Sequence, residues 1–146
     1  DAYMPDAVFN RADLNGVNMS GVNWYGSHAG ATGAYMHHVN FTGANLGTMN
    51  FTQADLKGCI FDRAVLIGTN FRGAVLRPGD GGRRVSFADA SIQGADFFAS
   101  EIEDAIFTNA AAAVPVEWYF SLDGKKSAQY RQILNHDNEP VFEELR

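Results

Sequence analysis

The chain has 146 residues, of which 46% are hydrophobic, so a single domain with a sizeable core is expected. Its formal net charge of −6 argues against binding nucleic acid through the phosphates, which requires a basic surface. The one cysteine excludes an internal disulfide bond, and no apolar run approaches the length of a membrane span.

A five-residue rhythm of large apolar residues begins at the N-terminus. The central residues of these units of five (pentads) are Met4, Phe9, Leu14, Met19 and Trp24. The next clear centre, Met36, follows Trp24 by twelve residues rather than ten. Two pentads plus two extra residues preserve the alternation of Phe and Leu centres, whereas one pentad plus seven would break it. We therefore expect a loosened corner near Gly30 to Gly33.

The rhythm runs without a slip from residue 39 to residue 76. Phenylalanine and leucine alternate at every fifth position, at Phe41, Leu46, Phe51, Leu56, Phe61, Leu66, Phe71 and Leu76. A smaller residue stands two positions before each, and mostly Asn or Asp lies between the two. A period of five matches neither the 3.6 of a helix nor the 2 of a strand, so it marks a structural repeat. One large and one small side chain per pentad suits a narrow, densely packed interior.

A second break separates Leu76 from Phe87 by eleven residues. The Phe/Leu alternation favours one pentad with a six-residue insertion, RPGDGG, whose Pro and Gly residues predict a projecting loop. The rhythm then resumes through centres at Phe87, Ile92, Phe97, Ile102 and Phe107.

The pentads ANLGT, ADLKG, TNFRG, ADLNG and ADFFA resemble the motif of the pentapeptide-repeat family. The resemblance covers about residues 2–112. It implies an all-β solenoid, a right-handed quadrilateral β-helix of about five coils with four pentads in each. We accordingly divide the chain into a β-helix, residues 1–112, and a C-terminal capping segment, residues 113–146. With four pentads per coil, the phenylalanines should stack on two opposite faces.

The C-terminal segment loses the rhythm and is expected to form a helical cap over the open end of the solenoid. Ser127 is suited to cap a helix on which Tyr130, Ile133 and Leu134 share one face, and Asn138 with Pro140 is suited to open a second short helix. The aromatic residues Trp118, Tyr119 and Phe120 belong to this cap, or alternatively to a dimer contact.

No catalytic, metal-binding or cofactor-binding constellation is visible, and no cofactor is expected. His37 and His38 are adjacent, so in an extended chain they point apart and are expected to be a solvated pair. Cys59 occupies a small inward position and is predicted to be a buried core residue. The arginines and the glycines of RPGDGGRR offer a phosphate cradle, but a plain surface loop is favoured because the strand–turn–helix context of a P-loop is missing.

The outward positions sort into faces. One face combines Asp13, Asp55, Glu101 and Glu103 with His37, Lys57 and Arg77, whereas another carries Tyr3, Tyr25, Val65 and Ile67. Apolar side chains gathered on a water-facing sheet suggest a contact surface, and cover by a loop or by the tail is the alternative. The candidate interaction residues, on this face and on the loop, are Tyr25, Val65, Ile67, Arg77, Asp80, Arg83 and Arg84.

These features favour a non-catalytic protein-interaction or scaffold module with a protein partner, no direct nucleic-acid binding and no membrane span. A homodimer through the C-terminal segment or the Tyr25, Val65 and Ile67 face is one form of this function. The resemblance also implies an alternative function, a DNA-mimicking inhibitor or protector of DNA gyrase. Against it, the rod is short and basic side chains interrupt its acidic face. An enzyme is the third alternative. The family occurs in bacterial cytoplasm, periplasm and thylakoid lumen, and the cytoplasm is slightly favoured.

Overall fold

The computed structural model describes residues 2–102, 104–110, 117–122, 126–134 and 140–144, the last three ranges through their backbone alone. From Tyr3 to Ile106, the chain forms a ladder of parallel β-bridges between residues far apart in sequence. Asn50 pairs with Asn70 and Tyr35 with Asp55. Four pentads therefore separate residues that lie side by side in the ladder.

The bridged residues form four columns, which we name faces 1 to 4, each with five levels. Face 1 contains Tyr3, Asn23, Asn45, Val65 and Ser91; face 2 contains Val8, Gly30, Asn50, Asn70 and Asp96; face 3 contains Asp13, Tyr35, Asp55, Val75 and Glu101; face 4 contains Asn18, Asn40, Ile60, Ser86 and Ile106. Two positions on face 3 extend into short strands, β1 (Val75–Leu76) and β2 (Glu101–Ile102), which pair in parallel.

The large central residues point inward and pack as columns of their own. Phe41, Phe61, Phe87 and Phe107 stack on face 4 with ring centroids 5.1, 5.0 and 4.8 Å apart. Phe51, Phe71 and Phe97 stack on face 2 at 5.4 and 4.8 Å. The two columns meet edge to face, as in the contact of Phe61 with Phe71 at 5.7 Å. The predicted pair of phenylalanine stacks is therefore confirmed.

Level 2 departs from this pattern in one place. Ala31, not a phenylalanine, occupies the central position of face 2, and its amide donates to the carbonyl of Asn50. The indole of Trp24 fills the space, edge-on to Phe9 at 5.2 Å and to Phe51 at 6.1 Å. Its Nε1–H donates to the carbonyl of Ala7 at 2.9 Å, so the buried indole is hydrogen-bonded. A large residue from face 1 thus compensates for a small one on face 2.

The first insertion contains the two extra residues predicted, but its predicted location is wrong. Asn23 and Gly30 are successive bridged positions, so the extra residues lie among residues 25–29. Gly26 has φ 126°, and the Asp6 carboxylate accepts the amide of His28 at 3.1 Å beside it. Gly30 itself pairs with Val8 and Asn50 as a regular ladder residue. The spacing of the pentad centres gives the number of extra residues but not the corner at which they are inserted.

The second insertion is also of the predicted length, since Ile60 pairs with Ser86 and Val75 with Glu101. A 3₁₀ turn spans Asp80–Gly82. The loop projects only at its exposed tip, residues 80–84. At its base, the Gly79 amide donates to the Arg83 carbonyl at 2.8 Å, and Gly79 packs against the His38 imidazole. The predicted projecting loop is therefore present at residues 80–84, while its base packs on the coil.

The predicted helices of the C-terminal segment are wrong. Strands β3 (Glu117–Leu122), β4 (Lys126–Leu134) and β5 (Pro140–Glu144) form an antiparallel sheet in the order β3-β4-β5. Ser127 and Tyr130 lie in β4, whereas Asn138 lies outside the described residues. Pairing with the neighbouring strands of two consecutive hairpins outweighs the local helix signals, as is common for β structure. The boundary near residue 112 also lies outside the described residues.

Candidate interaction surfaces

Face 1 presents apolar side chains to solvent. Val65 and Ile67 flank the inward Leu66 and are 36% and 49% exposed, and Tyr3 at the first level is 69% exposed. Their positions follow from the ladder, because the residues before and after each central residue point outward on the same face. The structure thus places the predicted Tyr25, Val65 and Ile67 on one face.

The apolar residues of face 1 form two groups rather than one. Tyr25 packs edge-on against Tyr3 with ring centroids 6.3 Å apart. Interaction with the neighbouring Tyr3 side chain raises the pKa of Tyr25. Asn45, which bridges both Asn23 and Val65, separates this pair from the aliphatic group. The surface is therefore a strip in which the polar third level divides the tyrosine pair, on levels 1 and 2, from the aliphatic pair on level 4.

Face 3 carries paired charges. The Asp55 carboxylate lies 2.7 Å from Nε2 of His37 and 3.4 Å from Nζ of Lys57. Two levels further on, Arg77 contacts Glu101 at 3.5 Å. Asp55 and Glu101 are thus matched by basic groups on the same or the neighbouring level, so the face does not present an uninterrupted acidic column.

The two adjacent histidines have separate environments. His37 engages Asp55, whereas the His38 ring packs against Gly58 and Gly79 at the base of the second insertion. Both are partly buried, so the expectation of a solvated pair is wrong. The sequence could not show this, because the contacts come from the next level and from the inserted loop.

The arginines of the inserted loop do not converge. Arg77 reaches Glu101, and Nε of Arg84 donates to the carbonyl of Asp104 at 2.6 Å. Asp80 and Arg83 are exposed at the tip. Two of the three predicted basic residues therefore have partners on the β-ladder, and they leave no shared phosphate cradle.

Cys59 is fully buried in the core, as predicted. Its Sγ donates to the Met36 carbonyl at 2.8 Å. Burial raises the pKa of the Cys59 thiol to about 12. Since the thiolate is the nucleophilic form, this cysteine has a structural role.

One cluster escaped the sequence analysis. Ser27, His28 and Asp6 meet at the first insertion, with Ser27 Oγ 3.3 Å and Asp6 Oδ1 3.8 Å from the same nitrogen, Nδ1 of His28. A catalytic triad needs the serine and the acid on opposite ring nitrogens. This exposed cluster therefore cannot relay a proton from the serine to the acid. The separation of Asp6 from His28 by one full coil, including the two extra residues, was the only signal that could have revealed it.

No group of three or more His, Cys, Asp or Glu side chains suited to hold a metal ion occurs among the described residues. Within the same residues, no helix has the length and apolar character needed to cross a membrane.

Comparison with known proteins identifies the repeats. The model of the family described as pentapeptide repeats matches residues 1–23 and 49–77, in 8 copies. No curated protein matches the chain significantly. The resemblance seen in the sequence is confirmed: the chain carries pentapeptide repeats, and proteins of this family fold as right-handed quadrilateral β-helices.

Solved structures of other pentapeptide-repeat proteins are similar to this chain. A protein from the thylakoid lumen of Arabidopsis thaliana is 23% identical with a TM-score of 0.39, and the match covers 70% of this chain and 66% of that one. Rfr23 from the cyanobacterium Cyanothece 51142 is 17% identical with a TM-score of 0.41, covering 70% and 88%. HetL from Nostoc sp. strain PCC 7120, involved in heterocyst differentiation regulation, is 20% identical with a TM-score of 0.39, covering 77% and 58%. The chain thus spans only part of the Arabidopsis and Nostoc proteins.

Proposed function

We propose that this chain is a non-catalytic protein-interaction module, built as a right-handed quadrilateral β-helix of about five coils. The observation that carries the proposal is the exposed apolar pair Val65 and Ile67 on a regular, rigid sheet face. Burying such side chains against a partner stabilises the complex by roughly 25 cal/mol per Å² of apolar surface removed from water. Ladder hydrogen bonds hold them in place, so little conformational entropy is lost on binding.

The use of the interior supports a non-catalytic function. At levels 2 to 4 the large inward side chains are fully buried and occupied in packing, and the inward polar groups Cys59 and Thr69 donate to main-chain carbonyls. Asp55 and Glu101 on face 3 contact basic side chains, and the Ser27 cluster lacks the geometry of a relay. A surface that binds through shape and burial fits these features better than a reactive site does.

The C-terminal strands support a cap of a different kind from the predicted one. Strand β3 approaches β2, on the last level of face 3, within 8 Å between Cα atoms. An open ladder end exposes unpaired backbone groups and core side chains, which solenoids cover with an atypical terminal element. We infer that the antiparallel sheet β3-β4-β5 serves this purpose in place of helices.

Site-specific photocrosslinking in the organism that encodes the chain tests the proposed function. A photoreactive phenylalanine analogue at Ile67 should give a discrete protein adduct. The same analogue at Phe98, an exposed apolar position on face 2, is the matched control and should not give this adduct. If neither position yields a discrete adduct, or if both yield the same one, face 1 is not the binding surface.

The gyrase-directed alternative has a direct test of its own. A mimic of duplex DNA needs an acidic surface, whereas Asp55 on face 3 contacts His37 and Lys57, and Glu101 contacts Arg77. We therefore expect the purified chain to leave DNA gyrase supercoiling unchanged, with or without a quinolone. Inhibition or protection at micromolar protein would favour the alternative over our proposal.

A further inference from the structure

Face 1 is distinguished by its lack of charge. On levels 2 to 5, within the described residues 23–94, the outward positions before and after each central residue of face 1 hold no Asp, Glu, Lys or Arg, and the charged residues Arg63 and Asp89 lie at the corner shared with face 4. The residues that shape this strip are Tyr25, Asn45, Gly47, Val65, Ile67 and Gln93.

The other three faces each carry ionised side chains. Arg72 contacts Asp96 on face 2 at 3.5 Å, and Asp55 contacts Lys57 on face 3 at 3.4 Å. On face 4, the Asp62 carboxylate accepts hydrogen bonds from the Ser86 hydroxyl and the Ala88 amide. Depletion of charge is the compositional feature that marks the centre of a protein interface.

We propose that the partner of face 1 is a second copy of this chain, which makes the protein a two-fold dimer; this rests on the proposed interaction function. Two copies carry −6 each, so most ways of bringing them together place like charges against each other. In a two-fold interface the same patch meets itself, which favours a patch without ionised groups. The outward positions of face 1 satisfy this condition on levels 2 to 5.

The shape of the strip suits this pairing. Val65 and Ile67 stand out on one level, and Gly47 leaves the level before them without a side chain at the corresponding position. An added Cβ at Gly47 would meet no atom closer than 3.6 Å, so packing within the chain does not require glycine there. The level with Gly47 lacks a side chain where the next level carries Ile67. Two copies of face 1 can therefore approach closely around Val65 and Ile67.

The size of the strip sets the expected affinity. Five levels at a spacing of about 4.8 Å span only about 24 Å. One side of such a rod is smaller than the roughly 800 Å² that each partner buries in a standard interface. We therefore expect a reversible dimer with a dissociation constant in the micromolar range.

Sedimentation velocity across low micromolar to near-millimolar protein tests the proposal. The wild-type chain should shift from monomer to dimer with concentration. Ile67→Asp should raise the dissociation constant by about tenfold or more, since pairing would then bury a carboxylate at the contact. Phe98→Asp is the matched control, because it removes an exposed apolar side chain from face 2, and its dissociation constant should stay within about threefold of wild type.

A cross-linking experiment is independent of changes in stability. Ile67→Cys treated with a short bismaleimide should give a covalent dimer, whereas Phe98→Cys should not. The native Cys59 is buried and should not react. A wild-type chain that stays monomeric over the whole range overturns the proposal, as does equal cross-linking of both variants. A monomer whose Ile67 position captures a different protein overturns only the self-pairing and leaves the proposed interaction function intact.

Discussion

The corner residue of each pentad bears a local conformational cost. Outside the inserted loop, the second residue after each large central residue turns the corner with a positive φ, whether it is glycine, as at Gly43 (67°), or not, as at Thr48 (59°) and Arg63 (57°). A left-handed conformation costs a residue with a Cβ roughly 1–2 kcal/mol, and β-branched residues are the least suited to it. The fold therefore tolerates strain at some corners that glycine relieves at others.

Thr48→Gly should accordingly stabilise the chain. Its left-handed φ is relieved while no core contact is lost, because Thr48 is exposed. We expect a gain of about 1 kcal/mol in the free energy of unfolding, reduced somewhat by the greater freedom of glycine in the unfolded chain. Gly43→Ala is the control in the opposite direction: no atom lies within 4 Å of the added Cβ, so the expected loss of about 1 kcal/mol reports φ alone. Urea unfolding followed by circular dichroism measures both, and a destabilised Thr48→Gly variant would contradict the argument.

The buried thiol of Cys59 makes stability depend on pH in the alkaline range. An unfolded thiol loses its proton near 9.0, whereas the folded one, with its raised pKa, keeps it to about 12. Below pH 9 both states are protonated and this term has no effect. As the pH rises above 9, the unfolded state alone is deprotonated, so the free energy of unfolding should fall by up to about 1.4 kcal/mol per pH unit.

Cys59→Ala isolates this contribution from the other groups that titrate at alkaline pH. The variant should be less stable at pH 7 because a cavity remains, yet its stability should decline less steeply between pH 9 and 11. Urea midpoints at a series of pH values provide the comparison. Parallel curves for the wild type and the variant would show that the thiol titrates alike in both states.

At the scale of the element, Trp24 and Ala31 act as a unit. The indole lies between Phe9 and Phe51, in the column of face 2 where Ala31 replaces a large residue. Packing at this density ties the two side chains together, because neither can change size without changing the space left to the other. The irregularity of level 2 is thus a paired exchange of a large and a small residue between two faces.

A double-mutant cycle should reveal this pairing. Ala31→Phe alone overpacks level 2, and Trp24→Leu alone leaves a cavity, so each should cost about 2–4 kcal/mol. The double variant restores the Leu and Phe alternation of the later levels and should cost clearly less than the two single changes together. We expect a favourable coupling of about 1–3 kcal/mol from urea unfolding. Additive effects would mean that the indole does not occupy the space beside Ala31.

The sequence predicts those features that the repeat itself determines. The two phenylalanine stacks follow from the alternation at Phe41 to Phe71, because each pentad packs on its counterpart four pentads away. The placement of the first insertion does not follow, since a break between Trp24 and Met36 can open at any corner between them. Ala31 occupies a central position but is small, so the five-residue pattern of large residues is not visible there.

The candidate surfaces are predictable in part for the same reason. Assigning Tyr25, Val65 and Ile67 to one face needs only the count of pentads. The contacts of His37 and His38 depend on neighbouring levels and on the folded base of the inserted loop, which the rhythm does not describe. The C-terminal strands are stabilised by pairing with their neighbours in two hairpins, which the helix signals at Ser127 and Pro140 do not reveal, so the predicted helices are wrong.

At the scale of the whole molecule, residues inserted at a corner do not change the spacing of the ladder beyond it. The ladder spacing returns to four pentads after the second insertion, where Ser86 pairs with Ile106. The chain on either side of the inserted loop reads Leu76-Arg77 and Val85-Ser86-Phe87, which leaves room for one corner residue between Arg77 and Val85. The preceding level has Leu56-Lys57-Gly58-Cys59-Ile60-Phe61 at the equivalent positions.

Deleting Pro78 and residues 80–84 tests whether the coils fold equally well without the inserted loop. The deletion leaves Leu76-Arg77-Gly79-Val85-Ser86-Phe87, a regular pentad with glycine at the corner. We expect the same far-UV circular dichroism as wild type and a free energy of unfolding within about 1 kcal/mol, since the shorter connection offsets the lost contact of Gly79 with His38. A control that deletes only Pro78 and residues 80–83 leaves one extra residue, which shifts Phe87 off its inward position and should cost several kcal/mol. If both deletions are tolerated equally, the register of the coils is not set by the five-residue spacing.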